Sequence, residues 1–457
     1  MWAVASAVIC ASLVLTPHGG SIVDFNGDGY EDYAISAPSG TVGHTLKAGY
    51  IAILYGAATG VDPARRRILH LDSSNVPNDP VAADAFGART AAGDFNADGY
   101  TDLAVGSYNP FDLDRRFVTL LWGGKDGLAL GTPLIDPPRA GVSPDLVDRA
   151  EGQELAAGDF DGDGSDDLVA TGERGTVNVF HGPFQRDGRP ARKVTLGGSY
   201  EKPTRLVAGD LTGDGKDDLV TTHAWEERAE PSLFWKGGPQ GLAGRPVRLD
   251  AATTATVGDI DGDHYGDLVM RLAPGGSVDT LKSDKGTIKV LYGSADGPGR
   301  RSRTLTQDSP GVPGTGVRGD QFGFDLAAGD VDGDGYADLA AGLPGKAGGG
   351  AVLLFRGGRD GPAGARLFTQ ASPGVPGTAE NGDRFGASVS LRDFNGDGKA
   401  DLGVGAPGES GTATGTGAAW VLPGSTGGLT TEGARSFDPA ALQASDTGSH
   451  LGMWSAK

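Results

Sequence analysis

Asp24-Phe25-Asn26-Gly27-Asp28-Gly29-Tyr30-Glu31-Asp32 is a nine-residue acidic loop that returns six more times along the chain, beginning at Asp94, Asp159, Asp210, Asp259, Asp330 and Asp393. The steps between starts are 70, 65, 51, 49, 71 and 63 residues, and 64 residues follow Asp393. Self-similarity at such a period marks an array of one supersecondary unit, so the 457 residues are not two or three unrelated domains.

The same context surrounds each loop. A short run such as Ala91-Ala92-Gly93 or Ala327-Ala328-Gly329 leads in, and Leu103-Ala104-Val105, Leu168-Val169-Ala170 or Leu219-Val220-Thr221 leads out. Two apolar runs around a tight polar turn predict a β-hairpin. Further on, an apolar-aromatic run ends in Gly, as in Ile53-Leu54-Tyr55-Gly56, Leu120-Leu121-Trp122-Gly123 and Val290-Leu291-Tyr292-Gly293, which predicts a third strand. Three or four short strands cannot bury their own faces, whereas radial stacking does so and leaves only short edges. The expected fold is therefore all-β, a seven-bladed β-propeller. The spacing exceeds the ~40–45 residues of a WD40 blade. The surplus lies in connections such as Ser309-Pro310-Gly311-Val312-Pro313 and its near copy Ser372-Pro373-Gly374-Val375-Pro376. Phe86-Gly87, Phe322-Gly323 and Phe385-Gly386 each precede a loop, the first loop has no such pair, and Leu451-Gly452 stands near the C-terminus. The C-terminal segment is thus expected to supply the strand that the first blade lacks and to close the ring.

Composition narrows the class. Gly (79) and Pro (27) make a turn-rich chain. A formal charge of −20 argues against nucleic-acid binding, which needs a basic face. The single cysteine, Cys10, excludes an intramolecular disulfide and a cysteine zinc site. Trp2–Leu15 is apolar but too short for a confident membrane span, and no later run is long enough. Residues 1–18 read as a signal peptide or a partial first strand and 19–457 as the propeller, giving a secreted monomer.

The loops carry the chemistry. Hard cations such as Ca²⁺ take six to eight oxygens at about 2.3–2.6 Å, and alternate carboxylates on a tight turn point inward to supply them. Positions 1, 3, 5 and 9 bear oxygen: Asp24, Asn26, Asp28 and Asp32; Asp94, Asn96, Asp98 and Asp102; Asp159, Asp161, Asp163 and Asp167. The later loops offer Asp210, Asp214 and Asp218; Asp259, Asp261, Asp263 and Asp267; Asp330, Asp332, Asp334 and Asp338; and Asp393, Asn395, Asp397 and Asp401. Position 7 would add a carbonyl, and position 6 is Gly for the sharp turn. Two loops depart: Thr212 is a weaker third ligand, and His264 replaces the expected Gly, so binding is expected to be weakest in the loops at Asp210 and Asp259. These are not EF-hands, since position 12 is a strand residue such as Ile35 or Val105 rather than Glu. Twenty-four carboxylates stand at the four positions, and seven Ca²⁺ would bring −20 to −6.

Phe385-Gly386, then Arg392-Asp393-Phe394-Asn395-Gly396-Asp397-Gly398, then Val404-Gly405-Ala406-Pro407 resembles the FG-GAP repeat of the integrin α-subunit head, and Ser36-Ala37-Pro38 keeps the last element. The loops at Asp159 and Asp210 lack the Phe-Gly and Ala-Pro elements. The resemblance covers nearly everything after about residue 20. It implies a seven-bladed propeller with Ca²⁺ in the hairpin loops of one face and a partner on the other, in a bacterial secreted relative.

Other motifs are weaker. Arg318-Gly319-Asp320 spells an adhesion tripeptide, but its Gly-Asp recurs as Gly382-Asp383 and belongs to the repeat. Gly314-Thr315-Gly316-Val317-Arg318-Gly319 matches a dinucleotide fingerprint without the required helix. The seven His residues share no motif, Trp122, Trp235 and Trp420 read as core, and Arg65-Arg66-Arg67 and Arg300-Arg301 read as solvated loops. The expected function is an extracellular, calcium-stabilised binding or adhesion module for a protein or glycan, with no catalytic residues. The alternative is a polysaccharide lyase or hydrolase, which would need basic and aromatic residues converging at the central channel.

Overall fold

The loop at Asp94 shows how a repeat folds. Gly93 ends β4 (Arg89–Gly93), the loop turns the chain, and Asp102 begins β5 (Asp102–Tyr108), which is followed by β6 (Arg116–Trp122) and β7 (Leu130–Pro133). Successive strands pair antiparallel, with Gly93 opposite Asp102 and Leu103 opposite Leu121. The second and third strands are buried on both faces, which is why they read as near-continuous apolar runs rather than alternating ones.

The structure is a computed structural model that describes residues 22–112, 116–134, 150–172, 175–197, 202–225, 228–273, 284–410, 415–445 and 448–456. The apolar stretch Trp2–Leu15, Cys10 and the segment 1–18 lie outside these residues. Twenty-seven strands, numbered in chain order, form five four-stranded antiparallel sheets and one of seven strands among the described residues. The larger sheet is two sets joined through β15 (Val247–Gly258). Its first half pairs with β14 (Arg228–Trp235) as an outer strand, and its second half pairs with β16 (Asp267–Leu272) as an inner strand. Counting β15 in both gives seven four-stranded sets, and this all-β architecture is that of a β-propeller.

Backbone bonds link each acidic loop to the next. The residue at position 8 donates its N–H to the carbonyl at position 1 of the preceding loop: Thr101 to Asp24, Asp166 to Asp94, Asp217 to Asp159, Gly266 to Asp210, Ala337 to Asp259 and Ala400 to Asp330. Glu31 donates to Asp393 at 3.3 Å, which closes the cycle from first loop to last. At the C-terminus, β27 (Trp454–Ser455) pairs antiparallel with β1 (Tyr33–Ala37) beside β2 (Tyr50–Leu54) and β3 (Arg66–Leu69).

The core lies between neighbouring sheets. Ile51 and Ile53 of one pack with Leu103 and Val105 of the next, and Val352 and Leu354 pack with Val404 and Trp420. Burial of such apolar faces, at roughly 25 cal/mol per Å², is the main force holding the sheets together. Trp122, Trp235 and Trp420 are buried as expected.

Candidate metal centres

Each loop is pinned by its second residue. Phe25, Phe95, Phe160, Leu211, Ile260, Val331 and Phe394 are wholly buried, which fixes the polar positions on either side. The carboxylate at position 1 then gathers backbone donors. Asp330 accepts the N–H of Gly333 (2.7 Å) and Asp334 (3.2 Å) on Oδ1 and that of Gly335 (2.8 Å) on Oδ2. The loop at Asp259 does the same with His264 in the glycine's place. His264 takes φ +70° and donates its N–H to Asp259 Oδ2 at 3.0 Å, so the turn survives the substitution that the sequence marked as a weakness.

Position 4 favours glycine for its positive φ, +70° at Gly27 and +73° at Gly262, and for room. A Cβ on Gly262 would fall 2.7 Å from the Tyr336 ring, and one on Gly27 would fall 2.7 Å from Tyr100, because position 7 of the next loop lies over it. Ala97 is the exception, at φ +57°, and the residue at position 7 of its next loop is the small Ser165.

The aspartate at position 9 opens the second strand, or in the first loop directly precedes it, and is at most 2% exposed in every loop. Its Oδ1 accepts the N–H of the glycine that ends the third strand: Gly56 on Asp32, Gly123 on Asp102, Gly182 on Asp167, Gly237 on Asp218, Gly293 on Asp267, Gly357 on Asp338 and Gly424 on Asp401, all at 2.7–2.9 Å. This accounts for the apolar run ending in Gly. A Cβ on Gly123 would lie 2.2 Å from the Thr101 carbonyl. Burial, reinforced by the other carboxylates of the same loop, pushes Asp32 and Asp102 up to about 8, Asp267 and Asp401 to about 7, and Asp218 and Asp338 to about 6. Asp167 is raised by burial and held back by His181.

Positions 1, 3, 5 and 9 bring carboxylate oxygens together. Oxygens of Asp159, Asp161 and Asp163 lie within 4.8 Å of one another, as do those of Asp259, Asp261 and Asp263 and those of Asp330, Asp332 and Asp338. Asp161 Oδ1, Asp261 Oδ1 and Asp332 Oδ1 are buried without a hydrogen-bond partner. An orphaned buried carboxylate oxygen is costly, so these three loops have the donor set and the unmet need that suit a hard cation. The fourth loop has Thr212 Oγ1 in the same condition, buried and unpartnered. In the remaining loops Asn26 Oδ1 accepts the N–H of Asp28 (2.8 Å), while the amides of Asn96 and Asn395 donate to Asp102 and Asp401.

Three groups escaped the sequence reading. Arginines border the loops: Arg192 pairs with Asp161 (2.9 Å), Arg301 with Asp261 (2.7 Å), Arg65 with Asp28 (2.8 Å), Arg186 with Asp98 and Arg356 with Asp332. Arg300-Arg301 is an exposed loop as expected, yet Arg301 is committed to Asp261, and the run Arg65-Arg66-Arg67 is not a solvated loop. Arg66 and Arg67 lie in β3, and Arg66 donates to the Leu442 carbonyl at 2.6 Å, because a strand edge beside acidic turns gives a guanidinium partners. His181 sets Nδ1 2.8 Å from Asp167 Oδ2 and 3.2 Å from Asp161 Oδ2, joining a loop far from it in sequence. Position 8 side chains cap the preceding loop: Glu31 Oε2 accepts the Asp393 N–H (2.6 Å) and Asp166 Oδ2 that of Asp94 (2.7 Å). The recurrence of acid or Thr at that position was the available signal.

Toward the centre, Arg89, Glu154, Arg205 and Trp454 meet from four different sheets. Arg89 donates to Glu154 at 2.7 Å, Arg205 lies 3.5 Å from Glu154, and both guanidinium groups lie over the Trp454 ring at 4.1 and 4.4 Å. Each charge is committed to a partner, which makes this set a tie between sheets. The Arg318-Gly319-Asp320 tripeptide is not displayed as a unit, since Asp320 is buried and bound by Lys346 at 2.8 Å.

Comparison with known proteins matches the sequence of these repeats to known ones. The FG-GAP repeat model matches residues 86–115, 322–355 and 385–422, and the FG-GAP-like repeat model matches residues 159–221. Integrin alpha pat-2 of Caenorhabditis briggsae is 29% identical over 240 residues, 45% of this chain and 18% of that protein. Human integrin alpha-IIb is 30% identical over 231 residues, 44% of this chain and 21% of that protein. Phosphatidylinositol-glycan-specific phospholipase D of Rattus norvegicus is 28% identical over 217 residues, 47% of this chain and 23% of that protein. The matches thus span about a fifth of the length of these relatives.

Proposed function

The chain is built on FG-GAP repeats, similar in that region to those of integrin α chains, and from this premise we propose that it is an extracellular, calcium-stabilised propeller that binds a protein or glycan. Ca²⁺ is held by the side chains at positions 1, 3, 5 and 9 of the acidic loops. The orphaned oxygens of Asp161, Asp261 and Asp332 support occupancy of the loops at Asp159, Asp259 and Asp330 first. When bound, the ion neutralises the clustered carboxylates and cross-links each turn. The arginines at the loops, whose guanidinium groups remain open to solvent, then give way to the ion. The C-terminal strand closes the ring on the first sheet.

The observation that carries binding is an apolar patch at the strand ends opposite the acidic loops. Leu46, Val81 and Phe111 are exposed there, Phe111 at 88%. Their segments are neighbours: Ala83 donates its N–H to the Leu46 carbonyl at 3.1 Å, and Asn109 Nδ2 donates to the Ala82 carbonyl at 3.1 Å. Exposed large apolar side chains on adjoining segments favour a docking surface over a solvated one. Catalysis is less well supported, since the one carboxylate of this set, Glu154, is held by both Arg89 and Arg205 and offers no poised base. The test is to immobilise the chain in Ca²⁺ over arrays of extracellular proteins and glycans while assaying polysaccharides for chain cleavage. Saturable binding lost in Phe111→Ser, without cleavage, is expected. Cleavage products would establish the enzymatic alternative.

A further inference from the structure

The last repeat holds carboxylates that the acidic loops do not account for. Glu380, Asp383 and Glu409 each offer an oxygen within 4.8 Å of the other two. β24 (Asp401–Ala406) begins at the end of the seventh acidic loop, and Glu409 follows its far end, so this cluster lies at the opposite ends of the strands. Asp383 is 2% exposed and accepts the Glu380 N–H at 2.6 Å. Gln370, also 2% exposed, aims its carboxamide into the cluster: Nε2 donates to Glu409, the group reaches Asp383, and Oε1 is buried without a partner. Among the described residues, no lysine or arginine pairs with any of the three carboxylates. Burial, followed by the charge of Asp383, pushes Glu409 up to about 7.

The preceding repeat has the same scaffold with a different filling. Thr306 N–H donates to Ser309 Oγ as Thr369 N–H does to Ser372 Oγ, both at 2.9 Å. Val317 N–H donates to Asp320 Oδ2 (2.9 Å) as Glu380 N–H does to Asp383 Oδ2, and Gly345 N–H meets the Asp320 carbonyl as Gly408 N–H meets that of Asp383. In this register Gln307 matches Gln370, Asp320 matches Asp383, Val317 matches Glu380 and Lys346 matches Glu409. The Lys346 ammonium donates to Gln307 Oε1 (2.8 Å), Asp320 Oδ2 (2.8 Å) and the Thr315 carbonyl (2.7 Å). The second repeat fills the place with a neutral donor, Asn109 Nδ2 to Asp84 Oδ1 at 3.2 Å. The last repeat has replaced the ammonium with one carboxylate and an apolar neighbour with another.

We propose that a hard divalent cation of the calcium class occupies this place, held by Glu380, Asp383, Glu409 and the Gln370 carboxamide oxygen, where Lys346 puts its ammonium one repeat earlier. A half-turn of the carboxamide presents Oε1 in place of Nε2, and Thr378 matches the Thr315 carbonyl. All donors are oxygen, which suits Ca²⁺ and not softer metals. Oxygens within 4.8 Å of one another can share one ion at Ca–O distances of ~2.4 Å.

The test is equilibrium dialysis of the full chain against Ca²⁺, with the bound ions counted, for wild type, Glu409→Lys and Glu409→Gln. Glu409→Lys rebuilds the filling of the preceding repeat, so its melting temperature in chelator should equal or exceed that of wild type. Both variants should bind one ion fewer than wild type. Equal counts in all three overturn the proposal and leave the acidic loops untouched, whereas a wild type that binds no ion overturns both.

Discussion

Position 9 shows how one side chain serves both fold and site. Asp338 accepts the N–H of Val331 (3.1 Å) and of Gly357 (2.8 Å), tying the loop to the end of the third strand. Asp338→Ala strands two buried donors and should cost about 2–4 kcal/mol in urea unfolding. The charge has the opposite effect on the metal-free protein. Six of the seven carboxyls at position 9 move from an ordinary 3.8 to between about 6 and 8. The folded state therefore holds its protons more tightly, and the stability this confers, full below about pH 4, is lost as pH rises through about 6 to 8. In chelator the melting temperature should fall between about pH 5 and pH 8, and saturating Ca²⁺ should flatten that fall by favouring the ionised forms. A fall of the same size with calcium would argue against ligation. Position 4 offers a steric check. Gly262→Ala puts a Cβ against Tyr336 at φ +73° and should cost upwards of about 1–2 kcal/mol, while Ala97→Gly should stay within about 1 kcal/mol.

Among the elements, β15 and β27 depart most from a regular repeat. The sequence predicts separate strands in every repeat, yet the step of 49 residues from Asp210 to Asp259, the shortest in the chain, leaves little room for a separate connection. One continuous strand, Val247–Gly258, therefore serves two sets, a merger that local patterning does not reveal because each half alternates like an ordinary strand. The hairpins were legible because Asp, Asn and Gly at fixed offsets leave the backbone few alternatives. β27 is two residues long, and only the repeat logic of Leu451-Gly452 hinted at it. Its Trp454 lies under Arg89 and Arg205, so Trp454→Ala should cost about 2–4 kcal/mol through lost burial and two cation–π contacts. Truncation after Ser445 should lower the melting temperature further. An unchanged melt would mean that the ring does not depend on this strand for closure.

Across the whole molecule, the closed cycle of loop-to-loop hydrogen bonds sets the acidic turns side by side, which concentrates much of the −20 charge at one end of the strands. The spacing of the carboxylates made that ring legible. The arginines, His181 and the Gln370 cluster were not, since each joins residues well separated in sequence: Arg192 and His181 reach their loop across one sheet, and Gln370 meets Glu409 from the neighbouring sheet. Without counter-ions, such a concentration of like charge should leave the protein marginal. The most direct measurement is thermal unfolding at about pH 8 in millimolar Ca²⁺ and then in chelator. Sites of ~10⁻⁴–10⁻³ M affinity contribute roughly 1.4 kcal/mol each per tenfold excess of ion, so several together should raise the melting temperature by many degrees. A melt that does not move would make the acidic loops ordinary turns and contradict the account.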